Sequence, residues 1–416
     1  MKIISDFHLH SKFSQATSQD MDVPTISQWA KLKGVNLVGS ADFTHPLWLQ
    51  ELKKYLKPAG NYHYQYDGVN YFLVTEVSNM YQKNAKVRKI HNLIFAPDFN
   101  AVEKINIVLS RYGNLLIEGR PTLALDCAEL VKLMMDISDK CIVVPSHVWE
   151  QQFSLFGSNA GFSSLIECFG SQIRYINSIE TGISSDPSMN WRHSQLDTMT
   201  LLSNSDAHAP TEIGREANVF EVNDMDDLYT EFLEMLIAKD NSKFLYTIET
   251  YPEEGRHFYN GHKECGVKIQ PVKTTEIINP CPSCKKQIAY GVMHRVEELA
   301  DREEGFEPRE SIPYKKVMPL EEIISNVTEK GRNSAQIKKE YFRLVYKYGS
   351  EINLLTELTE SELNTISDQR IAEAIIRMRH GDVSIAQGYD GLYGSVKINL
   401  PVAQADSLAD QQLSLL

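Results

Sequence analysis

Histidines and acidic residues accompany the apolar, β-branched runs in the first 210 residues of this sequence. Eight of them lie at or beside one end of a predicted strand: His8, His10, Asp42, Glu76, His91, His147, Asp206 and His208. Imidazoles mixed with carboxylates suit Zn, Mn or Fe, and a carboxylate such as Glu76 can bridge two ions. Any one of these residues alone could be a strand-end cap or a satisfied buried polar group. Taken as a set, they predict a polynuclear metal site.

Three further polar residues could serve such a site. Arg192 and His193, within NWRHSQLD, could meet a phosphate oxygen or protonate a leaving group. The alternative is that both only satisfy neighbouring carbonyl groups. Asp6 could orient a metal-bound imidazole, since ligating histidines usually donate their second N–H to a partner.

A second group of ligand-type residues occurs in a segment poor in apolar residues. It consists of two pairs separated by fifteen residues, His262-x-x-Cys265 and Cys281-x-x-Cys284. Four ligands in this spacing are typical of a tetrahedral zinc ribbon, in which zinc is structural because protein fills every coordination position. His257 is a rival for the histidine position.

Basic and aromatic residues are interleaved after the cysteine pairs, among them Arg295, Lys338 and Lys339. This mixture suits phosphate contacts combined with base stacking, although a solvated helix face over core aromatics would look similar. Tyr389 and Tyr393 lie in a Gly-rich loop and could stack on a base or sugar. The other interpretation of that loop is a turn with packing tyrosines.

The elements that must position these residues fall into segments that differ in their predicted secondary structure. Residues 1–250 alternate strand-like and helix-like runs, which predicts an α/β barrel or open sheet whose carboxyl strand ends share one face. We expect a zinc-ribbon domain over residues 251–318, a helical domain over 319–398 and a flexible tail over 399–416.

Composition limits the partners. The formal charge is −13, but residues 255–349 carry 17 Lys and Arg against 13 Asp and Glu. Only a local patch could therefore meet nucleic acid. No run approaches the ~20 apolar residues of a membrane span, and no secretory signal is evident. We expect a cytoplasmic protein without membrane contact.

The order of HLH, Asp42, Glu76, His91, His147 and the DAH at 206–208 resembles the PHP metallo-phosphoesterases over roughly residues 1–240. The resemblance implies a distorted (β/α)7 barrel and two or three divalent ions (Zn, Mn or Mg). One ion would be held by His8, His10, Glu76 and Asp206, a second by Glu76, His91 and His147, and a third by His208 with Asp42 or His45. Asp42 and His45 are separated by Phe-Thr here, whereas the family pattern has them adjacent.

With GHKECGV, CPSCKK, GVMHRVEELADR and GYDGLYG added, the chain resembles the endonuclease Q family to about residue 398. The resemblance implies a metal-dependent DNA repair endonuclease. It would flip out a deaminated base (hypoxanthine, uracil or xanthine) or an abasic site and cut on its 5′ side, leaving a 3′-hydroxyl and a 5′-phosphate. The reaction centre would include Glu76, Asp206 and His208. Aromatic content suggests lesion recognition by Trp48 and VWEQQFSLFG, and the absence of a Walker A pattern argues against a nucleotide cofactor.

The C-terminal residues Gln412, Leu413, Leu415 and Leu416 resemble the short peptide by which bacterial repair proteins dock on the sliding clamp. A plain disordered tail is the alternative.

Two other functions compete with the repair endonuclease: a PHP-type phosphatase acting on a small phosphate ester, and a non-catalytic DNA-binding scaffold on the clamp.

Overall fold

The computed structural model describes residues 1–271 and 280–401. Residues 1–250 contain twelve strands: β1 (Lys2–Asp6), β2 (Leu37–Gly39), β3 (Lys57–Gly60), β4 (His63–Tyr66), β5 (Val69–Lys83), β6 (Lys86–Ala96), β7 (Thr122–Leu123), β8 (Ile142–Pro145), β9 (Ser178–Glu180), β10 (Thr200–Leu202), β11 (Ala217–Glu221) and β12 (Phe244–Glu249). They also contain seven helices: α1 (Val23–Lys33), α2 (Pro46–Tyr55), α3 (Phe99–Leu109), α4 (Cys127–Ile137), α5 (Leu165–Phe169), α6 (Pro187–Asn190) and α7 (Leu228–Ala238).

Seven of these strands form a ring. β1, β2 and β5 pair in parallel, β6 lies antiparallel between β5 and β8, and β9 pairs in parallel with β10. A hydrogen bond from the Val148 amide to the Glu180 carbonyl links the end of β8 to β9. A bridge between Leu9 and Ala207 returns the chain from β10 to β1. The ring confirms the predicted distorted (β/α)7 barrel, in which the reversed β6 is the main distortion.

Aromatic side chains stabilise one end of the barrel. Phe7, directly after β1, lies 5.6 Å from the Phe72 ring and 5.3 Å from the Phe95 ring, centroid to centroid. Phe232 of α7 packs against the same group at 4.9 Å from Phe7. All four are fully buried. Burial of this apolar surface fixes the strands, and with them the residues that follow the strands.

The remainder of the chain is smaller elements: β13 (Asn260–His262), β14 (Val267–Ile269), α8 (Val292–Leu299), β15 (Tyr314–Lys316), α9 (Leu320–Thr328), α10 (Ala335–Tyr348), α11 (Glu360–Leu363), α12 (Gln369–Arg379), β16 (Val383–Ala386) and β17 (Ser395–Ile398). β13 and β14 form a hairpin, as do β16 and β17. β15 pairs in parallel with β12. The segment that the sequence assigned to a zinc ribbon therefore also contributes a strand to the barrel's sheet.

The four helices α9 to α12 confirm the predicted α-helical region after residue 319. Ile323, Leu344 and Ile375 are buried at their contacts. Within the described residues, no helix is both long and apolar enough to cross a membrane. The residues predicted to bind the clamp, Gln412, Leu413, Leu415 and Leu416, lie outside the described residues.

Candidate metal centre

Seven side chains meet at one mouth of the barrel, and we call them the ligand cluster: His8, His10, Glu76, His91, His147, Asp206 and His208. They form three overlapping groups of three in which the ligand atoms lie within 4.8 Å of one another. Glu76 and His10 each belong to two of the groups. The cluster thus brings together residues up to 200 positions apart, as the shared face of an α/β barrel predicts.

Glu76 occupies the middle of the ligand cluster. Its Oε1 lies 2.9 Å from His91 Nδ1 and 3.0 Å from His147 Nε2. Its Oε2 lies 3.4 Å from Nε2 of both His8 and His10. Because one oxygen faces each pair of imidazoles, this carboxylate is placed as a bridging ligand would be.

The strand that carries Glu76 does not end there, contrary to the sequence interpretation. β5 continues for seven residues beyond Glu76 and pairs with β6 along its whole extension. Glu76 and His91 therefore lie inside strands, and a two-stranded ribbon rises past the mouth of the barrel.

The backbone around the cluster adopts sparsely populated conformations. Asp42, His147 and Asp206 have φ of 26°, 29° and 49°. Non-glycine residues rarely occupy this left-handed region, and such strain is concentrated at functional sites. The fold therefore holds these three residues in unfavourable backbone conformations that direct their side chains toward the mouth of the barrel.

Charge is concentrated in the ligand cluster. Burial alone would lower the pKa of His8, but the carboxylates of Glu180 and Glu76 raise it well above its ordinary value. Burial would raise the pKa of Glu76, yet the facing imidazoles and the Arg120 guanidinium hold it well below the usual range. Burial lowers the pKa of His91 to about 4. A lowered pKa favours the neutral imidazole, which is the form that binds a metal.

The donor atoms fit divalent cations. His8 Nε2 is buried and has no hydrogen-bond partner in the described part of the chain, although carboxylate oxygens of Glu76 and Asp206 lie 3.4 Å away. A buried polar atom without a partner is costly, and coordination would satisfy it. The mixture of imidazoles and carboxylates is the set that Zn and Mn prefer.

Glu180, at the end of β9, was not among the predicted site residues. Its carboxylate accepts hydrogen bonds from His8 Nδ1 at 3.0 Å, from the His147 amide at 2.8 Å and from Asn204 Nδ2 at 2.8 Å. It therefore orients the His8 ring, the role that was predicted for Asp6. Asp6 accepts from the amides of Ser205 and Gly214 instead. Glu180 ends the strand-like run RYINSIE, so the strand-end pattern itself could have found it.

Arg120 was also missed. Its Nη1 donates to Glu76 Oε2 at 3.0 Å, and its side chain is about one quarter exposed. Among the described residues, it is the one Lys or Arg that forms an ion pair with a carboxylate of the ligand cluster. It lies in a loop without strand periodicity, and so no sequence pattern marked it.

Asp42 and His45 lie beside the cluster rather than in its three groups. Asp42 Oδ1 is 3.4 Å from His10 Nδ1, and Oδ2 accepts from the amide and hydroxyl of Ser11. The His45 ring stacks on Phe13 with centroids 4.4 Å apart. His10 Nδ1 hydrogen-bonds Ser14 Oγ at 3.2 Å, which leaves Asp42 Oδ1 buried without a hydrogen-bond partner among the described residues. His208 joins His10 and Asp206 in the third group.

Arg192 and His193 are engaged away from the ligand cluster. The Arg192 guanidinium forms a two-pronged ion pair with Glu297 of α8. The His193 ring packs on Trp149 with centroids 4.7 Å apart, and burial lowers its pKa to about 4. In the described structure neither residue contacts the cluster. Arg192 pairs with a carboxylate, and both ring nitrogens of His193 are buried without a hydrogen-bond partner among the described residues.

Trp48 is fully buried, and its indole Nε1 donates to the carbonyls of Ser40 and Ala41. The prediction that Trp48 reads a lesion is therefore wrong in this structure, because no surface of the ring is open to DNA. It instead supports the turn that leads to Asp42.

The second predicted metal group also assembles. One ligand atom from each of His262, Cys265, Cys281 and Cys284 lies within 4.8 Å of the other three. The β13–β14 hairpin carries the first two, and a loop brings the cysteine pair against it. His257 is not in this group. Four soft and borderline ligands with no carboxylate fit a structural zinc.

The predicted DNA-binding residues have different environments. Lys338 and Lys339 are exposed on α10, and Tyr393 is exposed in the loop between β16 and β17. Arg295 is held by the carbonyls of Phe156 and Phe162 at 3.1 and 3.0 Å. Tyr389 is half-buried, and its ring lies against Gly261. Arg295 and Tyr389 thus serve packing here, whereas the two lysines and Tyr393 are free to meet a ligand.

One family model matches part of the chain, and three known proteins match nearly all of it. A family model described as the MJ0043 C-terminal domain matches residues 319–382. The crystal structure of the lesion-specific endonuclease PfuEndoQ from Pyrococcus furiosus superposes with a TM-score of 0.86 at 31% identity, covering 96% of both chains. An endonuclease Q complex with a 27-mer duplex carrying an abasic lesion at the active site gives 0.84 at 31% identity, covering 96% and 97%. The uncharacterised protein YqxK of Bacillus subtilis (strain 168) is 27% identical over 95% of this chain and 99% of its own.

Proposed function

The chain belongs to the endonuclease Q family, and we propose that it is a metal-dependent DNA repair endonuclease. It hydrolyses the phosphodiester on the 5′ side of a deaminated base (hypoxanthine, uracil or xanthine) or an abasic site. The products are a 3′-hydroxyl and a 5′-phosphate. The observation that carries the proposal is the buried ligand cluster, found in a chain that aligns over 96% of its length with a lesion-specific endonuclease.

The ligand cluster would hold two or three divalent ions. His8, His10 and Glu76 would bind one, Glu76, His91 and His147 a second, and His10, Asp206 and His208 a third. Ions bound there would supply an activated water at neutral pH and would neutralise charge on the phosphoryl oxygens. The His262 and Cys265, Cys281, Cys284 group would hold a separate structural zinc.

Arg120 supplies a permanent positive charge at the mouth of the cluster. One of its five N–H donors binds Glu76, and an arginine fork suits an anionic phosphate oxygen. Its proposed role is to orient the phosphodiester that is cut, while Glu180 keeps His8 in one orientation.

A cavity beside the cluster has the position and size for an extruded nucleotide. It measures about 460 Å³ and lies between the barrel and the segment after residue 250. Glu150, Gln151 and Ser184 line one side, and His257 and Tyr393 the other. Glu150 Oε2 lies 3.8 Å from His147 Nδ1, which joins the cavity to the cluster. Amide and hydroxyl groups there can hydrogen-bond the polar edge of a flipped base.

Damaged duplex DNA is the proposed partner. Lys338 and Lys339 offer phosphate contacts outside the cavity. The clamp-docking peptide at residues 412–416 remains a proposal from the sequence.

The test is nicking of end-labelled duplexes that carry hypoxanthine, uracil or an abasic site, with Mg²⁺ or Mn²⁺ and an undamaged duplex alongside. We expect a cut only at the lesion, on its 5′ side, with a 3′ end that a polymerase extends. Asp206→Ala should abolish cutting. Asp136→Ala, which removes an exposed carboxylate on α4, should not. Turnover of a small phosphate ester without cutting of any duplex would refute the proposal and favour the phosphatase.

A further inference from the structure

The loop between α3 and β7 exposes two adjacent aliphatic side chains. Leu116 is 67% exposed and Ile117 is 77% exposed, the highest value among large apolar side chains in the described part of the chain. Apolar surface left in water costs free energy in proportion to its area. Two neighbouring aliphatic residues at a loop tip are therefore unusual unless something covers them during function.

The loop that carries these residues is firmly held, so their exposure is a fixed feature of the fold. Leu115, the preceding residue, is buried in the core. The Gly119 amide donates to the Phe13 carbonyl at 3.0 Å, and its carbonyl accepts from Thr44 Oγ1 at 3.0 Å. The Leu116 amide donates to Asn114 Oδ1 at 2.9 Å.

The same loop ends in the candidate metal centre. Gly119 lies so close to the Asp42 carboxylate that a Cβ at this position would collide with it. The following residue is Arg120, whose guanidinium binds Glu76. Two peptide units separate Ile117 from Gly119, a span of at most about 7 Å. The aliphatic tip therefore stands at the rim of the ligand cluster.

We propose that Leu116 and Ile117 insert into the base stack of duplex DNA beside the nucleotide being cut. The inference rests on the proposed function. A nucleotide that leaves the helix takes its stacking contacts with it, and apolar side chains commonly fill or wedge open such a step. Any duplex whose phosphodiester reaches Glu76 and Arg120 must pass this rim. Because Gly119 is held by hydrogen bonds and precedes Arg120, the distance between the inserted side chains and the phosphate bound at Arg120 is fixed.

An apolar groove of about 940 Å³ lies behind the loop, lined by Leu49 of α2, Ile107 of α3 and Leu116. Ile107 is 62% exposed but belongs to a helix rather than to the tip. It provides a matched control, since replacing it removes exposed apolar surface of the same kind without touching the loop. A role of the whole groove would make Ile107 as important as the tip.

The experiment compares Leu116→Ser/Ile117→Ser with Ile107→Ser on one abasic or uracil lesion, placed in a duplex and in a single strand. We expect the double variant to slow duplex nicking at least tenfold and to leave single-strand nicking within twofold of wild type, because a single strand has no stack to open. In the non-cutting Asp206→Ala background, 2-aminopurine next to the lesion should brighten on binding, and less so with the double variant. Ile107→Ser should behave as wild type, and both variants should keep wild-type metal content when Asp206 is intact.

Three results would overturn the proposed insertion. The double variant could lose duplex and single-strand nicking equally, or it could nick the duplex as fast as wild type. Ile107→Ser could also slow duplex nicking as much as the double variant does. Wild-type protein that cuts neither form of damaged DNA would instead refute the proposed function, so the two failures are distinguishable.

Discussion

Glu180 lies outside the ligand cluster but hydrogen-bonds two of its members, His8 and His147. One carboxylate accepts from the ring of His8 and from the backbone of His147, so it sets both an imidazole orientation and a strained backbone turn. It is completely buried. Such partners fix the orientation of a ligating imidazole and raise its basicity, so they contribute to metal affinity.

Replacing Glu180 should therefore weaken metal binding without removing a ligand. We expect Glu180→Ala to lower Mn²⁺ affinity roughly 10- to 100-fold. Glu180→Gln should have a smaller effect, because its amide oxygen can still accept one of the hydrogen bonds. Calorimetric titration of metal-free protein measures this. Glu221→Gln, an exposed position at the end of β11, is the control, and wild-type affinity of Glu180→Ala would contradict the positioning role.

Sequence reasoning at the level of single residues succeeded where topology constrained the answer. His8, His147 and Asp206 follow strands whose ends must meet, and the structure brings them together. Arg192 and Trp48 had no such constraint. The partner of Arg192 is Glu297, 105 positions away, and the burial of Trp48 depends on tertiary packing. The spacing of residues along the sequence predicts neither the Arg192–Glu297 pair nor the burial of Trp48.

At the scale of the elements, two buried carboxyl groups lie beside β11 and β12: Glu216 directly precedes β11, and Glu249 ends β12. Glu216 and Glu249 are each 1% exposed. Thr250 donates to Glu216 through both its amide and its hydroxyl, at 3.1 and 2.7 Å. Burial raises the pKa of Glu216 above its ordinary value of 4.5, and burial together with the charge of Glu216 raises that of Glu249.

This pair should make stability fall as pH rises. Because the folded pKa of Glu216 is raised, the folded state holds its proton more tightly, and that stabilisation is present below about pH 4.5 and lost as pH rises through the folded pKa. Glu216→Gln keeps the site neutral, so we expect it to stabilise the protein by roughly 1–3 kcal/mol at pH 8 and much less at pH 5. Thermal unfolding across this range measures it. A gain independent of pH, or one equalled by exposed Glu221→Gln, would contradict the interpretation.

The hairpin of β13 and β14 has little apolar core of its own. Val267 is half-buried and Lys268 is exposed, so the two strands bury little apolar surface. We expect Cys281→Ser/Cys284→Ser to lose one zinc per chain by elemental analysis and to become protease-sensitive near residue 265, because structural zinc contributes folding free energy directly. Ser283→Ala, an exposed residue between the two cysteines, should retain zinc. Full zinc content in the double variant would exclude the site.

At the scale of the whole molecule, the alternation of strands and helices predicted an α/β barrel or an open sheet, because parallel strands with helical crossovers have few arrangements. The family resemblance was needed to choose the barrel. Two features were not predictable. β15 joins the sheet from 65 residues beyond β12, and β5 continues past Glu76 as a ribbon with β6. Short strands such as Tyr314–Lys316 carry no periodicity, and only their partner defines them.

A buried ion pair joins the helical region to the barrel. Lys33 Nζ at the end of α1 lies 2.5 Å from Glu351 Oε2, and both residues are 4% exposed. Glu351 also accepts from the Tyr341 hydroxyl at 2.7 Å and the Leu320 amide at 2.9 Å. Burial would raise the pKa of Glu351, but the Lys33 ammonium holds it below its ordinary value. Removing either partner leaves an uncompensated buried charge between the two parts of the molecule.

We therefore expect Lys33→Met and Glu351→Gln each to destabilise the protein by about 3–5 kcal/mol, and the double variant to lose clearly less than the sum. Since the pKa of Glu351 is lowered in the folded state, its contribution is present above pH 4.5 and lost as pH falls further. Lys33→Met should reverse that acid dependence, because burial without the ammonium raises the pKa of Glu351. Urea unfolding at pH 7.5 and pH 4 measures both effects. Lys132→Met, which breaks an exposed pair with Asp136 on α4, should cost less than about 1 kcal/mol. Additive losses in the double variant would show that the pair does not couple the helical region to the barrel.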